Sequence, residues 1–420
     1  MRRTERTPPR IETRSRPAGP RPVRLSVDDK IDACRGLFAY LVVVAHALEV
    51  AWGVHPEAAG ALPGPVRLWL QCTVGSGIYW VMGFFVISGY CIHLSADRLR
   101  AGDRFPLKVY LVARLSRILP LYYASLALTV LVEWLIAPAR PRSWPNGLNG
   151  SALIAQLFVA QNLTQTYGSF ASSWSITNEV FYYGLYGLLC VPAIGRGDRP
   201  ARVGMALCLA IATAMQVLYY TVAHRPFILS AGMLFGLGIN WFLGVLVAAQ
   251  GPALVRSGLA RHLARLWGPL LVLAVLWRFD ARLPSAGTFL LSGAAFTLLM
   301  IRFLQAGPPD RSAAPAPWIK KGIEWLGMSS YPTYLFHGPL IMLIGSAILR
   351  RGLVSDWRLT WAILSVAGIA SGLVLAFVAE RPVMTWRGEL LRRLKSGRSA
   401  SPRRIPAPML GAQRYWKLEK

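Results

Sequence analysis

Charged residues are scarce in this chain of 420 residues. Asp, Glu, Lys and Arg make up 15% of it, whereas soluble domains carry about 25%. Acidic residues are the rarest of these, with 19 Asp and Glu against 46 Lys and Arg. Hydrophobic residues reach 54%, which excludes a soluble globular enzyme and also a disordered middle segment. The composition therefore predicts a polytopic membrane protein.

The sequence also lacks the motifs of several enzyme classes. It contains no Gly-rich phosphate loop, no HExxH zinc motif and no GxSxG nucleophile elbow. The five cysteines form no CxxC pair, so we predict buried thiols rather than disulfides or metal ligands, and no metal site. The first 30 residues contain no apolar run of a cleaved signal peptide, and we expect them to form a cytoplasmic tail.

Long apolar runs are abundant in the remainder of the chain. Ten of them are candidates to cross a hydrocarbon core about 30 Å thick, although the seventh is short. Two shorter stretches, 66–74 and 151–163, are predicted to be partial or interfacial helices. The predicted fold class is all-α, a polytopic transmembrane helix bundle of about ten spans. The predicted spans are 36–54, 77–95, 117–136, 177–194, 203–222, 228–250, 267–279, 287–305, 331–349 and 359–379.

The distribution of Lys and Arg predicts the orientation of these spans. With the N-terminus inside, the cytoplasmic segments carry 37 of the 46 basic residues, as the positive-inside rule requires. Both termini are then cytoplasmic. The predicted division is a basic tail (1–30), a membrane domain (31–382) and a second basic tail (383–420). The same bias explains the net charge of +27, so nucleic-acid binding is not predicted.

Ionisable side chains inside spans are costly and are therefore functional candidates. Arg35 and His46 are eleven residues apart, which places them on one helix face with about 16 Å between them along the axis. A snorkelling arginine and a histidine bonded to a neighbouring helix are the structural alternative. For His46, in the middle of an apolar run, a functional role is favoured. Glu49, one turn further, is a candidate to orient its imidazole.

Further candidates flank other spans. Arg114 and Arg117, at i and i+3 before the third span, suit phosphate binding, although positive-inside flanking explains them as well. Glu179, near the start of the fourth span, is a candidate for acid–base catalysis or hydroxyl binding, with a helix capping box as the alternative. The outer loop 137–173, which includes Gln156, Gln161, Asn162 and Gln165, is expected to face the acceptor.

Two features lie near the last spans. His337 is a second embedded histidine beside a helix-weakening Gly-Pro. Glu380 and Arg381 close the tenth span, where a local ion pair explains them as well as catalysis does.

Together these residues predict a specific kind of donor. Arginines at the cytoplasmic face suit the phosphates of a cytosolic donor whose arm reaches into the membrane. A coenzyme A thioester fits this description, and His46 would act as general base on an acceptor hydroxyl.

Six short motifs, in order over 31–382, resemble those of the acyltransferase-3 family of bacterial integral-membrane O-acyltransferases. They are Asp32-x-x-Arg35-Gly36 with His46, the FFVISGY segment from Phe84 to Tyr90, Arg114-x-x-Arg117-Ile118-x-Pro120, Trp174-Ser175-x-x-x-Glu179-x-Phe181-Tyr182, Ser330-Tyr331-x-x-Tyr334-Leu335-x-His337-x-Pro339, and Glu380-Arg381-Pro382.

The resemblance implies a ten-helix enzyme of the bacterial inner (cytoplasmic) membrane. Such enzymes transfer an acyl group, commonly acetyl, from acyl-CoA to a hydroxyl of a glycan, a lipid-linked sugar or a macrolide. The family's Arg-x10-His pair falls on Arg35 and His46. Asn178 departs from the pattern, because many members carry a second acid there. The predicted roles are catalysis for His46 and Glu179, binding of acyl-CoA phosphates for Arg35, Arg114 and Arg117, and support for Asp32, Glu49, Ser88, Trp174, Tyr334, His337, Glu380 and Arg381.

Two other classes of function use the same residues. A proton-coupled secondary transporter or flippase would use the embedded His and Glu as a relay, but it predicts internal repeats that this sequence does not show. A membrane scaffold would use the basic tails to bind anionic membrane lipid.

Overall fold

The structure, a computed structural model, describes residues 25–100, 104–141, 148–191, 195–306 and 315–396. Within these ranges the ordered elements are helices. They are α1 (Val27–Val54), α2 (Pro56–Gly60), α3 (Gly64–Cys72), α4 (Ile78–Leu99), α5 (Leu107–Ile136), α6 (Gly150–Leu157), α7 (Trp174–Cys190), α8 (Arg199–Thr221), α9 (Pro226–Arg256), α10 (Gly258–Leu263), α11 (Trp267–Phe279), α12 (Ser285–Gln305), α13 (Pro317–Arg351), α14 (Trp357–Leu375) and α15 (Arg381–Ser396).

The helices confirm the predicted polytopic bundle. Nine helical stretches of the described residues are long and apolar enough to cross a membrane, and α7, with 17 residues, adds a shorter one. The seventh predicted span, 267–279, is short only because α10 and α11 join through a 3₁₀ turn into one stretch, Gly258–Phe279. Helices α3 and α6 match the two predicted partial helices.

Two helix ends extend beyond the predicted spans. Helix α1 begins nine residues before 36, because Ser26 and Asp29 form a capping box in which the Asp29 N–H donates to the Ser26 hydroxyl at 3.1 Å. At the other end, α15 continues to Ser396, well inside the predicted tail 383–420. The remainders of the two predicted tails, 1–24 and 397–420, lie outside the described residues.

Helices α1 and α13 pack side by side and run parallel. Contacts advance in the same direction on both helices: the Tyr40 and Ser329 hydroxyls are 3.0 Å apart, and His46 meets His337 about two turns later. Gly36 permits this approach, because a Cβ there would lie 2.7 Å from the Cβ of Leu326. Successive membrane spans run in opposite directions, so the first and the ninth predicted spans run in the same direction. The parallel packing of α1 and α13 agrees with this order.

Helices α4 and α9 also touch through their backbones. A Cβ on Gly89 would overlap the Trp241 carbonyl oxygen, and one on Gly244 would overlap the Val86 carbonyl oxygen. Small residues at such positions are how membrane helices approach closely. The contact brings Trp241 beside Ser88.

The described residues between α5 and α7 place two glutamine side chains inside the bundle. Gln156 and Gln161 are fully buried, and their amides donate to the hydroxyl and the carbonyl of Ser173, each at 2.6 Å. The Tyr122 hydroxyl of α5 donates to the Gln156 carbonyl at 2.7 Å. The expectation that both glutamines face an acceptor is therefore wrong, because their polar groups are used inside the protein. Helix α7 accordingly begins within the bundle.

We predict that Gly244→Ala destabilises the protein by about 1–3 kcal/mol, because the added methyl group overpacks the contact between α4 and α9. Thermal unfolding in detergent measures this as a lower Tm. Gly322→Ala is the control, since nothing lies within 4 Å of a Cβ there. Equal Tm values for the two variants would contradict the inferred contact.

Candidate active site

The main candidate site is a cavity between α1, α4, α5, α7 and α13. It comprises about 730 Å³ of space between atoms, including its open mouth. Its lining combines arginines, a carboxylate, hydroxyls and apolar side chains. The lining residues are Arg35, Val81, Phe84, Phe85, Ile87, Ser88, Cys91, Arg117, Ile118, Ser175, Ile176, Glu179, Tyr183, Ser330, Tyr331 and Tyr334.

Two of the three predicted phosphate-binding arginines, Arg35 and Arg117, lie in this cavity. Each has an acidic neighbour. The Arg35 Nη1 lies 4.0 Å from an Asp32 carboxylate oxygen, and Arg117 interacts electrostatically with Glu380. Such pairing compensates for the loss of hydration of guanidinium groups inside an apolar bundle.

The third arginine, Arg114, points elsewhere. It is buried, its Nη2 donates to the Ser95 hydroxyl at 2.5 Å, and its guanidinium lies 5.4 Å from the Tyr110 ring centroid. Residues at i and i+3 differ by about 60° around a helix, enough for Arg114 and Arg117 to face different neighbours. The predicted cluster of three arginines is therefore not assembled in the cavity, and phosphate binding by Arg114 stays a prediction.

Glu179 is held in the cavity wall by two hydroxyl groups, and one of these is bonded in turn to a tryptophan. Its Oε1 accepts hydrogen bonds from the Ser88 hydroxyl at 2.8 Å and the Tyr183 hydroxyl at 2.5 Å, while the Trp241 indole N–H donates to Ser88 at 3.2 Å. The N-cap of α7 is Ser173, which makes no side-chain capping bond, so the capping-box alternative is wrong. Tyr183 and Trp241 were not predicted, although Tyr183 has the i+4 spacing that places it beside Glu179.

The two embedded histidines form a hydrogen-bonded pair. His46 Nδ1 and His337 Nε2 are 2.7 Å apart, and His337 Nδ1 lies 3.0 Å from the Thr333 carbonyl oxygen. A carbonyl oxygen only accepts, so the His337 Nδ1–H is the donor there and its Nε2 accepts from the His46 Nδ1–H. A neutral His46 therefore carries its lone pair on Nε2, the atom that takes up a proton.

Tyr334 forms the wall between the cavity and the histidine pair. It lines the cavity, and its ring centroid lies 6.2 Å from that of His337. Its hydroxyl donates to the Ser172 carbonyl at 3.0 Å, which ties α13 to the start of α7. His46 itself is not part of the cavity lining. It is about 16 Å from Arg35 along the axis of α1 and is bonded to His337.

Two further predicted support residues, Trp174 and Glu49, lie outside the cavity lining. Trp174 packs edge to face on the lining residue Phe85, with 6.3 Å between ring centroids. Glu49, predicted to orient His46, lines a separate cleft at the far end of α1. That orienting role stays a prediction, and the hydrogen bond that assigns the tautomer of His46 involves His337.

Glu380 and Arg381 point in different directions. Glu380 is buried and interacts electrostatically with Arg117, whereas Arg381 is exposed, with its guanidinium 4.9 Å from the Phe377 ring centroid. The described residues show no ion pair between the two. The local pair considered from the sequence is therefore not formed.

Arg387 is a buried charge that the sequence analysis missed. It is 1% exposed, its Nε donates to the Ala113 carbonyl at 3.0 Å, and it interacts electrostatically with Glu380. Arg387 falls within the predicted basic tail, 383–420. Its position seven residues after Glu380, two helical turns along the same face, was the available signal.

No group of three His, Cys, Asp or Glu suited to a metal ion occurs among the described residues. The five cysteines are free thiols, four of them buried, as the sequence predicts.

The fold and the cavity define a multi-pass membrane protein with polar and charged side chains gathered inside its helix bundle. Residues 28–381 match the profile of a family described as an acyltransferase domain. This chain belongs to that family, the acyltransferase-3 family, and is therefore an acyltransferase. Membership favours the enzyme over the transporter and scaffold alternatives.

Two relatives are similar over most of the chain. It is 29% identical over 330 residues to the exopolysaccharide production protein ExoZ of Rhizobium meliloti strain 1021, covering 75% of this chain and 91% of that protein. It is 25% identical over 386 residues to the peptidoglycan O-acetyltransferase OatA of Listeria monocytogenes serovar 1/2a, covering 84% of this chain. The match spans 55% of OatA. No solved structure matches the chain.

We predict that His337→Ala lowers the rate of acyl transfer by about 100-fold, because His46 loses the acceptor that holds its tautomer. His337→Gln retains more activity, since its amide oxygen can accept the same hydrogen bond. Rates and their pH profiles, measured on purified protein, test this, with the exposed His262→Ala as control. If the Gln variant were as impaired as the Ala variant, ring packing rather than the hydrogen bond would matter.

Proposed function

We propose that this protein is an O-acyltransferase of the bacterial cytoplasmic membrane that moves an acyl group, acetyl in the simplest case, from cytosolic acyl-CoA to a glycan hydroxyl. The observation that carries the proposal is that His46, with a defined tautomer, bonds to His337 near a cavity lined by Arg35 and Arg117. Tyr334, which lines that cavity, links its wall to the histidine pair through a ring contact with His337.

The proposed donor end of the site is the cavity. Arg35 and Arg117 offer planar guanidinium groups to phosphate oxygens, and Phe84 and Ile87 provide apolar wall for the pantetheine arm. Glu179 can accept a hydrogen bond from an amide N–H of that arm. Its role in proton transfer stays a prediction.

The proposed reaction requires one base and no metal step. His46 Nε2 takes the proton of the acceptor hydroxyl as the hydroxyl oxygen attacks the thioester carbonyl carbon. The carbon–sulfur bond then breaks, and the coenzyme A thiolate receives the proton from His46. The products are an ester of the acceptor and the coenzyme A thiol.

The names of the relatives support a glycan as the acceptor. One is named for exopolysaccharide production and the other for O-acetylation of peptidoglycan. We therefore propose a surface glycan or its lipid-linked precursor, rather than a macrolide, as the acceptor. Acetyl is the proposed acyl group.

We predict that His46→Ala lowers acyl transfer by about 10²- to 10⁴-fold, the usual contribution of a general base. Purified full-length protein is given radiolabelled acetyl-CoA and surface glycan from cells that lack the gene, and label in the glycan is counted. His262→Ala, an exposed histidine, serves as control. Transfer by His46→Ala at the wild-type rate would refute the assigned role.

We predict that Arg117→Gln raises the KM for acetyl-CoA by about tenfold, because it removes a charge-assisted hydrogen bond to phosphate. With acetyl-pantetheine, which carries no phosphate, the variant and the wild type should have the same KM. Arg302→Gln, an exposed residue at the end of α12, is the control. Equal impairment with both donors would show that Arg117 does not act on the phosphates.

A further inference from the structure

A second cleft lies at the other end of α1, where the ends of α1, α3, α11 and α12 meet. It comprises about 1010 Å³ of space between atoms, including its mouth. All four helix ends are on the outer side in the orientation predicted from the basic residues. The cleft is lined by Leu48, Glu49, Trp52, Gln71, Cys72, Gly75, Trp277, Arg278, Asp280, Ala281, Leu283, Ser285 and Thr288.

Two tryptophans give this cleft aromatic walls. Trp277 is fixed in place: its indole N–H donates to the Pro284 carbonyl at 3.0 Å, and a Cβ on Gly287 would overlap its ring. Trp52 has its indole nitrogen buried with no hydrogen-bond partner among the described residues. An indole offers a broad apolar face together with one N–H donor.

Polar groups of both signs stand beside the tryptophans. Glu49 and Asp280 offer carboxylates, Gln71 an amide and Arg278 a guanidinium. Hydrogen bonds from Arg282 hold the pKa of Asp280 below its usual range, so this carboxylate is ionised. A cleft for an anion would carry an excess of basic residues, and one for an acyl chain would lack these groups. Aromatic faces with mixed donors and acceptors suit a ring that is apolar on its faces and hydroxylated at its rim.

The position of the cleft relates it to His46. Glu49, which lines the cleft, follows His46 by three residues, about 4.5 Å along the helix axis. Arg35, which lines the first cavity, precedes His46 by eleven residues. Along the axis of α1, His46 is therefore at a level between the cavity and the cleft.

We propose that this outer cleft binds a pyranose unit of the acceptor glycan and presents one of its hydroxyls toward His46, while the donor enters the opposite cavity. The inference rests on the proposed O-acyltransferase function. It assigns a binding role to Trp52, Gln71 and Trp277, none of which belongs to the donor cavity.

The test measures donor and acceptor kinetics separately. Purified full-length wild type, Trp52→Ala and Gln71→Ala are given radiolabelled acetyl-CoA and varied amounts of surface glycan isolated from cells that lack the gene. We expect the KM for glycan to rise about tenfold in Trp52→Ala and about threefold in Gln71→Ala, with the KM for acetyl-CoA unchanged. Gln71 is exposed, so Gln71→Ala tests the cleft even if Trp52→Ala fails to fold. Trp134, on α5, is 74% exposed, and Trp134→Ala is the matched tryptophan control.

The possible failures are distinguishable. If the wild type transfers no label to the glycan, the proposed function fails, and this inference fails with it. If the wild type transfers label and both variants keep the wild-type KM for glycan, only the inference is overturned. A rise in the KM for acetyl-CoA instead would likewise overturn it, because the cleft would then act on the donor.

Discussion

The parallel packing of α1 against α13 is the constraint on which the rest of the site depends. It brings His46 and His337 within 2.7 Å of each other, and Tyr334, on the same helix as His337, lines the cavity. Gly36 makes the approach possible, because a Cβ there would collide with Leu326. Without this contact, His46 would lose the neighbour that determines its tautomer. A base inside a membrane needs such a neighbour, because water is not available to orient its ring.

The polar groups around the cavity remain buried because they are matched with one another. Arg35 lies beside Asp32, and Glu380 interacts with both Arg117 and Arg387. Each pair reduces the cost of holding an ion in an apolar bundle. The arrangement also supplies two guanidinium groups at one cavity without leaving either uncompensated. The charges matched in this way are also the ones proposed to bind the donor.

Several features of the site were readable from particular residues. The eleven-residue spacing of Arg35 and His46 placed them correctly at two levels of one helix, because helix geometry is local and regular. The spacing of Arg114 and Arg117 was misleading, since a difference of about 60° directs the two side chains to different neighbours. Arg387 was missed, because nothing in a basic, weakly apolar segment shows that it folds back against α5. Gln156 was predicted to face the acceptor but is buried, because the burial of an amide depends on partners elsewhere in the chain.

The sequence by itself determined the class of fold, the approximate limits of most long apolar helices, and the family, because hydropathy and ordered motifs are properties of the linear chain. Tertiary structure alone decided which polar residues share a cavity, that His46 bonds to His337, and that Glu179 lies with the arginines. It also decided that an outer cleft forms from four separate helix ends. The reason is physical: these contacts join residues that are mostly far apart in the chain, and only helix packing brings them within hydrogen-bonding distance.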